Sequence, residues 1–433
     1  MVNGMRKKLV IILTALCVGL SSFSATTATT TTKKTATKAT KTSTTKKTAP
    51  KATAVAPKKK AVAKTAPGKS KAELAAAAAA LEASKPEYRS YLVGDKYGNI
   101  LYGENMDEKL PLASTTKTMT MILAFDAIRK GEVSLQDDVT ITWEAARMGG
   151  SMIPLKAGQV WKFEDLLKAT GIHSANNAAY AVAIHVGKDI DSFVKRMNDK
   201  AEEIGIGSEV EFNTPAGLPP KMTQRKMDAG SARGMYRIML EANKYPEYIA
   251  IAGTKTAQIG DDTVLIRSKN HLLGKQGIYG LKTGYHGTSG YNILVMGEQD
   301  NLTLFYVLLG GRSAKIRDQK VLHLDEKTRE KYAEQEIVKR DVTLAEIPVE
   351  NGIKNLVAAY PDEDYIKVVK KIDNISVKIE RQEKIKAPVL PGTEVGKYKV
   401  VIDGDVVHEG KLIVNEAIAK KTLWDRFLEL FNF

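Results

Sequence analysis

The sequence of 433 residues contains one cysteine, Cys17, and no acidic residue before Glu73. A lone cysteine cannot form a disulfide within the chain, and the six histidines show no metal-ligand spacing. Motifs that bind phosphate or dinucleotides are also missing. We therefore expect no disulfide, no metal and no cofactor, and the remaining chemistry is what side chains can perform unaided.

Positive charge is concentrated in the first 70 residues. Arg6, Lys7 and Lys8 precede twelve lysines between residues 25 and 70, and these charges equal the whole net charge of +15. The rest of the chain is neutral, so the basic composition describes a tail and gives no support for binding nucleic acid. Residues 26–70 are mostly Thr, Lys, Ala, Pro and Val without an aromatic residue, which predicts a disordered basic leader.

Residues 1–25 have the pattern of an export signal. An apolar run from Leu9 to Leu20 follows the basic residues and ends in small residues at Ser24 and Ala25. The run is too short for a membrane span, and its flanks match a cleavable secretory signal. We therefore expect an exported protein, located in the periplasm or at the outer face of the cytoplasmic membrane.

The residues from 85 to 333 predict an α+β domain. Two β-type runs, 91–93 and 100–102, flank a turn sequence, and strands resume between residues 290 and 309. Five segments of helical periodicity lie between them, beginning near residues 116, 163, 178, 190 and 233. We expect an antiparallel sheet, completed by distant segments and flanked by helices. An Ala-rich helix is predicted in front of this domain, over residues 71–84.

The composition changes near residue 333. Short β-type runs, the last two joined by Asp403-Gly404, predict a small all-β domain over residues 334–414. Residues 415–433 predict an amphipathic helix that is too short and too charged to span a bilayer. Its apolar face favours peripheral anchoring in the membrane interface, with docking onto the protein's own domains as the alternative. That face consists of Leu423, Trp424, Phe427, Leu428 and Phe431.

Three short polar motifs could supply a nucleophile and its base. Ser114 and Lys117 form a Ser-x-x-Lys motif, in which the two side chains are one helical turn apart. A lysine can activate a serine only if burial and a nearby cation keep its amine uncharged. Lys282, in the Lys-Thr-Gly motif at 282–284, is the candidate second cation, and the third motif is Ser-x-Asn at 174–176.

Each motif alone has an ordinary structural explanation. Ser43 and Lys46 repeat the first motif inside the leader, residues 268–270 repeat Ser-x-Asn, and serines commonly cap helices. The ordered set is more specific, because the serine opens an apolar helix and Lys282 precedes a strand pair. That trio is characteristic of penicillin-binding proteins and class A β-lactamases.

From about residue 88 to 317 the sequence resembles the low-molecular-weight penicillin-binding proteins, which are serine-type D-Ala-D-Ala carboxypeptidases. The three motifs carry the resemblance together with family-like stretches at 111–119, 212–218, 280–284, 290–292 and 310–312. It implies a β-lactamase/transpeptidase-like domain, followed by the small all-β domain and the terminal helix. It also implies removal of the terminal D-alanine from peptidoglycan stem peptides in the cell wall, with β-lactam antibiotics as covalent inhibitors.

The resemblance implies a role for each motif residue. Ser114 is expected to attack the carbonyl between two D-alanines, Lys117 to take its proton, and Ser174 to relay a proton to the leaving amine. Backbone N–H groups of Ser114 and Tyr285 are expected to form the oxyanion hole. The remaining substrate-binding residues are Asn176, for the substrate amide, Lys282 and Thr283, for the terminal carboxylate, and Gly284.

Two other functions stay open. Glu209 and Asn213 imitate the Glu-x-x-x-Asn element of a class A β-lactamase, although the β domain and terminal helix have no place in such an enzyme. A catalytically idle wall-binding protein is the second alternative. Asn177, where the family commonly has Asp, and His286, where Thr is more usual, bear on substrate positioning. The preference for carboxypeptidase or endopeptidase cleavage is not fixed by the sequence.

Overall fold

The computed structural model describes Ser84 and residues 86–430, with residues 428–430 described by their backbone alone. The predicted export signal, leader and nearly all of the predicted Ala-rich helix lie outside the described residues, as does Phe431. Within the described part of the chain, none of the helices combines the length and the apolar character needed to cross a bilayer.

The first domain contains short strands, a central sheet and surrounding helices. Its strands are β1 (Ser90–Asp95), β2 (Ile100–Glu104), β3 (Leu110–Pro111), β4 (Asp138–Thr140), β5 (Val160–Lys162), β6 (Val210–Glu211), β7 (Ala229–Gly230), β8 (Thr256–Ile259), β9 (Val264–Arg267), β10 (Ile278–His286), β11 (Gly290–Gln299) and β12 (Leu302–Gly311). Its helices are α1 (Lys117–Arg129), preceded by a 3-10 turn (Ala113–Thr116), α2 (Trp143–Ala146), α3 (Phe163–Gly171), α4 (Asn176–Gly187), α5 (Ile190–Glu203), α6 (Pro220–Thr223), α7 (Ala232–Ala242), α8 (Pro246–Gly253) and α9 (Ala314–Lys331).

The central sheet joins segments from both ends of this domain. Its strand order is β10-β11-β12-β1-β2, and all neighbouring pairs are antiparallel. The hairpin β1–β2 therefore pairs with β12, as the sequence predicts. β10, which carries the Lys-Thr-Gly motif, lies at one edge of the sheet, so its outer edge faces the 3-10 turn with Ser114.

The helices α1 and α4 run through the core. Almost every residue of both helices is buried, which is why their sequences are apolar or small on all sides. Their first residues, Lys117 and Asn176, are consequently held inside the protein. The five predicted helices are confirmed, with ends within a few residues of the predicted ones.

The second domain is built from strands, as predicted. They are β13 (Tyr332–Val338), β14 (Ala345–Glu350), β15 (Leu356–Pro361), β16 (Tyr365–Lys370), β17 (Ile375–Arg381), β18 (Ile385–Lys386), β19 (Glu394–Ile402) and β20 (Asp405–Val414). Six form a sheet in the order β17-β19-β20-β15-β14-β18, and β13 pairs with β16. The predicted turn at Asp403-Gly404 joins β19 to β20.

The end of this domain differs from the prediction. Ile418 is buried in the β-domain core and forms a bridge with Val389, while Lys420 bridges to Gly352. Residues 415–420 therefore belong to the β domain, and the terminal helix α10 (Leu423–Leu430) begins at Leu423 and not at the predicted residue 415. Ile418 is the one large apolar residue of this extended segment, and one such residue is too little pattern to identify a strand from sequence.

Candidate active site

The three motifs meet at one cleft in the first domain. The 3-10 turn presents Ser114, the start of α4 presents Ser174 and Asn176, and β10 presents residues 283–285. These residues line a cavity of about 510 Å³. Lys117 and Lys282 lie buried behind this lining.

Lys117 connects the nucleophile motif to the Ser-x-Asn motif. Its Nζ lies 2.9 Å from Ser114 Oγ, 2.8 Å from Asn176 Oδ1 and 2.9 Å from the Ala216 carbonyl oxygen. The Asn176 and Ala216 oxygens can only accept hydrogen bonds, so each takes an N–H from the amine. The Ser114 hydroxyl can donate as well as accept, so an uncharged Lys117 can receive its proton.

Burial and neighbouring cations keep the charged form of Lys117 unfavourable. Burial lowers the pKa of Lys117 well below its ordinary value, and the positive charges of Lys282 and Lys269 lower it further, while Asp228 acts in the opposite direction. The hydrogen-bond partners of the amine are neutral groups, so nothing in direct contact compensates a positive charge. The direction is the one required of a lysine that acts as a base.

Lys282 is held in a similar environment. Burial, followed by the charges of Lys269 and Arg317, lowers the pKa of Lys282 to about 7. Its Nζ donates a hydrogen bond to the Thr283 carbonyl at 2.9 Å. Lys282 therefore acts on the cleft mainly through its electric field, and Thr283, which lines the cleft, is in a position to touch a ligand.

Close packing fixes the nucleophile against β10. A Cβ atom added at Gly284 would lie 2.9 Å from the Leu112 carbonyl oxygen and 3.0 Å from the Ser114 nitrogen. A side chain there would push the strand away, so Gly284 permits close approach of two backbones. The Asn292 side chain secures the same turn by donating to the carbonyls of Pro111 and Leu112 at 2.9 Å.

The Ser-x-Asn motif is tied to a neighbouring loop. Asn176 donates from its side chain to the Gly149 carbonyl and from its backbone to the Ser151 carbonyl, both at 2.6 Å. Ser174 has a φ of 62°, in the left-handed region, and lines the cleft. Tyr285 lines the opposite wall, where its exposed ring stacks on Tyr291 with centroids 4.2 Å apart.

Two positively charged side chains that line the cleft, Lys269 and Arg317, are not among the site residues predicted from the sequence. Lys269 donates to Ser151 Oγ at 2.6 Å, and Arg317 forms an ion pair with Asp318 at 2.6 Å. Both line the cavity. Lys269 falls in the repeat of Ser-x-Asn at 268–270, which has the appearance of a chance match. Arg317 lies on α9, whose highly charged sequence gives no apolar pattern from which a helix could be predicted.

The Glu-x-x-x-Asn resemblance to a β-lactamase does not extend to the geometry. Glu209 approaches Ser231, with 3.4 Å between side-chain oxygens, and the Asn213 amide donates to Glu211 and to the Met227 carbonyl. Neither residue lines the cleft. A water activated by Glu209 would therefore not reach an acyl group on Ser114.

A different carboxyl group, that of Asp228, holds a loop next to the site by hydrogen bonds. It accepts hydrogen bonds from the backbone of Asn213 and from the backbone and hydroxyl of Thr214. This holds the loop that leads to Ala216, the carbonyl partner of Lys117. Burial raises the pKa of Asp228 to about 6, although its hydrogen bonds oppose the shift.

The two departures from the family pattern have different surroundings. Asn177 is buried, donates to the Ile153 carbonyl at 2.7 Å and accepts from the Ile153 N–H at 3.2 Å, a pairing that a carboxylate could not complete. His286 lines the cleft and accepts the Ser289 N–H at Nδ1. Burial lowers the pKa of His286, which favours its neutral form.

Comparison with known proteins agrees with this arrangement. Residues 77–313 match the sequence model of the D-alanyl-D-alanine carboxypeptidase family, and residues 332–420 match that of the penicillin-binding protein 5 C-terminal domain. The D-alanyl-D-alanine carboxypeptidase DacF of Bacillus subtilis is 29% identical over 75% of this chain and 83% of its own length. A D-alanyl-D-alanine endopeptidase of Escherichia coli is 26% identical over 54% of this chain and 76% of its own length.

Solved structures give the same result for the fold. Penicillin-binding protein 5 of Haemophilus influenzae superposes with a TM-score of 0.63 and 25% identity, over 78% of this chain and 98% of that one. The predicted α+β catalytic domain followed by a small β domain is thereby confirmed. The family sequence model covers more than half of the chain, and this protein is therefore a member of the D-alanyl-D-alanine carboxypeptidase family.

Proposed function

We propose that this protein is a serine-type D-Ala-D-Ala carboxypeptidase, which removes the terminal D-alanine from peptidoglycan stem peptides through an acyl-enzyme on Ser114. The observation that carries the proposal is the contact of 2.9 Å between Ser114 Oγ and the buried amine of Lys117. Burial and two further cations favour the uncharged amine, which is the form able to accept a proton.

In the acylation step, Ser114 Oγ attacks the carbonyl carbon between the two D-alanines while its proton passes to Lys117 Nζ. The two fixed acceptors, Asn176 Oδ1 and the Ala216 carbonyl, orient the amine so that its lone pair faces the hydroxyl. A base positioned in this way contributes about 10² to 10⁴ in rate. Ser174, at the wall of the cleft, would pass the proton to the leaving amine of D-alanine. Water then hydrolyses the ester on Ser114, which releases the shortened peptide and regenerates the serine.

Charge that develops on the substrate oxygen meets backbone donors. The contact between Gly284 and the 3-10 turn brings the N–H of Ser114 close to β10, which carries Tyr285. N–H groups fixed in a cleft in this way stabilise an oxyanion without reorganisation. The free carboxylate of the terminal D-alanine is bound by Thr283, within the positive field of Lys282.

β-Lactam antibiotics would acylate the same serine. The lactam carbonyl takes the place of the scissile peptide, and Ser114 Oγ opens the ring in the step described above. Glu209 lies outside the cleft, and the described residues that line the cleft include no glutamate that could act as the deacylating glutamate of a class A β-lactamase does. We therefore expect a long-lived penicilloyl enzyme, and this separates a carboxypeptidase from a β-lactamase.

We further propose that the protein is exported and attaches peripherally to the outer face of the cytoplasmic membrane through α10. Leu423, Trp424 and Phe427 are exposed on that helix. Leu428 and Phe431 would continue the same apolar face, although the side chains of both lie outside the described part of the chain. Deleting residues 421–433 should release the protein from membranes and leave its activity on a soluble peptide unchanged; continued membrane association would contradict the anchor.

The activity is tested by incubating the purified protein with diacetyl-lysyl-D-alanyl-D-alanine and measuring the released D-alanine. Ser114→Ala is the control, and release that survives this substitution would contradict the proposal. A peptide of the same sequence with a C-terminal amide distinguishes the modes of cleavage. A carboxypeptidase that binds the free carboxylate should cleave the amide poorly, whereas an endopeptidase should tolerate it.

A further inference from the structure

Apolar side chains are exposed at one end of the β domain, where the terminal helix leaves it. On α10, Leu423 is 84% exposed, Trp424 67% and Phe427 49%. Two turns of the β domain add Ile353, which is 56% exposed, and Leu390, which is 67% exposed. Single exposed apolar residues are common on soluble domains, but several in adjoining segments mark an interaction surface.

Backbone hydrogen bonds hold these segments side by side. The turn 351–353 is bonded to residues 419–421, which lead directly into α10. On another part of the same extended segment, Val389, next to Leu390, exchanges two hydrogen bonds with Ile418. The two turns and the helix are therefore parts of one surface, which we name the apolar end of the β domain.

Positive charge surrounds this apolar end. The segments 351–355, 383–390 and 420–426 carry six lysines or arginines and two acidic residues, Glu383 and Asp425. Ion pairs with Glu350 and Glu416 compensate two of the lysines, so the surroundings keep a positive balance. An apolar centre with a basic border is complementary to the interface of a membrane that contains anionic lipids.

We propose that Ile353 and Leu390 enter the anionic lipid interface together with α10. This inference rests on the proposed membrane attachment of the helix and adds two contacts on the β domain itself. A helix alone would attach the protein by a single segment, about which the domains could turn. Contacts from two further turns fix the direction in which the β domain stands on the membrane, and so the direction in which the catalytic cleft faces.

The test uses the chain from residue 26 onward, which the proposed export signal would leave. Co-sedimentation with vesicles of phosphatidylglycerol and phosphatidylcholine is compared for the wild type, Ile353→Asp, Leu390→Asp and the double variant. Ile372→Asp is the matched control, because Ile372 is 90% exposed in the β domain but lies in a turn bonded to Lys331, next to the catalytic domain. Measuring at about 0.5 M salt screens the attraction of the lysine-rich leader.

Each loop variant should lower the vesicle partition coefficient about tenfold, and the double variant about a hundredfold, since one buried apolar side chain contributes about this much. Ile372→Asp should bind as the wild type does. Wild-type binding by the loop variants, combined with release after deletion of residues 421–433, would overturn this inference and leave the helix anchor intact. Binding that survives the deletion would instead contradict the anchor itself.

Two other results would also overturn the inference. Equal loss of binding in Ile372→Asp would show that any added negative charge weakens attachment. Light scattering without vesicles tests whether a second copy of this chain covers the apolar end of the β domain. A dimer that dissociates in Ile353→Asp would assign the apolar end to self-association.

Discussion

The two folded domains depart from ordinary burial in opposite ways. The catalytic domain buries the ionisable side chains of Lys117 and Lys282 beside a cleft. In the β domain, over residues 332–420, every fully buried side chain is apolar or a tyrosine, and the unusual groups are exposed apolar residues, among them Ile353 and Leu390 near its end. Each departure destabilises the isolated protein, since a buried ionisable amine loses its hydration and exposed apolar surface orders water.

The difference corresponds to the two roles that we propose for this chain, catalysis and attachment to a membrane. In the proposed mechanism, desolvation favours the uncharged amine of Lys117, so a group that destabilises the fold would serve as the base for Ser114. Covering exposed apolar residues lowers the free energy, and the proposed attachment to a membrane would cover them. The proposed catalysis thus depends on buried lysines in the catalytic domain, and the proposed attachment depends on exposed apolar residues of the β domain. Four substitutions test this contrast.

Lys117→Met should have the largest effect. Removing the base should lower both D-alanine release and the rate of acylation by benzylpenicillin about 10²- to 10⁴-fold. Lys130→Met is the control, because Lys130 is exposed and directly follows the same helix, and it should react as the wild type does. A fall of similar size in the control, or full activity in Lys117→Met, would contradict the role of the buried amine.

Leu412→Ala should affect stability and leave the chemistry unchanged. Leu412 is fully buried in the β-domain core, and its truncation should lower the free energy of unfolding by about 2–5 kcal/mol. Urea unfolding gives the stability, and the acylation rate of the folded variant gives the chemistry. Val406→Ala, exposed on the same strand, is the matched control. Slower acylation in folded Leu412→Ala would show that the two domains are not separable in function.

Lys282→Met should gain stability and lose activity. The pKa of Lys282 is lowered from 10.5 to about 7 by burial, so between these values the unfolded chain holds a proton that the folded protein does not. The free energy of unfolding of the wild type therefore rises with pH over that range. Methionine removes this dependence, and the variant should be more stable by about 1–3 kcal/mol at pH 7, with a gain that shrinks toward pH 10. A pH series of thermal unfolding measures the difference, and a variant less stable than the wild type at pH 7 would contradict it.

Glu209→Gln should have the smallest effect. Glu209 lies outside the cleft, so D-alanine release and the lifetime of the penicilloyl enzyme should change by no more than about twofold. The lifetime is followed by intact mass after excess penicillin is removed. A much longer lifetime in the variant would restore the β-lactamase interpretation, because it would mean that Glu209 activates the deacylating water.

Much of this contrast could be predicted from the sequence. Helical and strand periodicity identify the hairpin β1–β2, the buried helices α1 and α4 and the late strands, because each has a long apolar pattern. The three motifs identify residues that the fold does bring together around one cleft. The chemistry required of a lysine base also predicts a second cation near Lys117, with Lys282 as the candidate, and the charge of Lys282 does act on Lys117.

The missed features depend on contacts between distant segments. Helix α9 buries only a narrow stripe and is otherwise highly charged, so neither the helix nor the cleft position of Arg317 could be predicted. Lys269 reaches the site by bonding Ser151, more than a hundred residues away, and no local pattern marks such a pair. The same holds for Asp228, whose importance lies in the loop that it fixes.

Peptide mapping by mass spectrometry after incubation with benzylpenicillin tests the central claim most directly. If a buried, uncharged Lys117 activates Ser114, the wild-type protein should carry one penicilloyl group on the peptide containing Ser114. Labelling should become faster as the pH rises and Lys117 loses its proton, and Ser114→Ala should remain unlabelled. A penicilloyl group on another residue, or an unlabelled wild-type Ser114, would contradict the account.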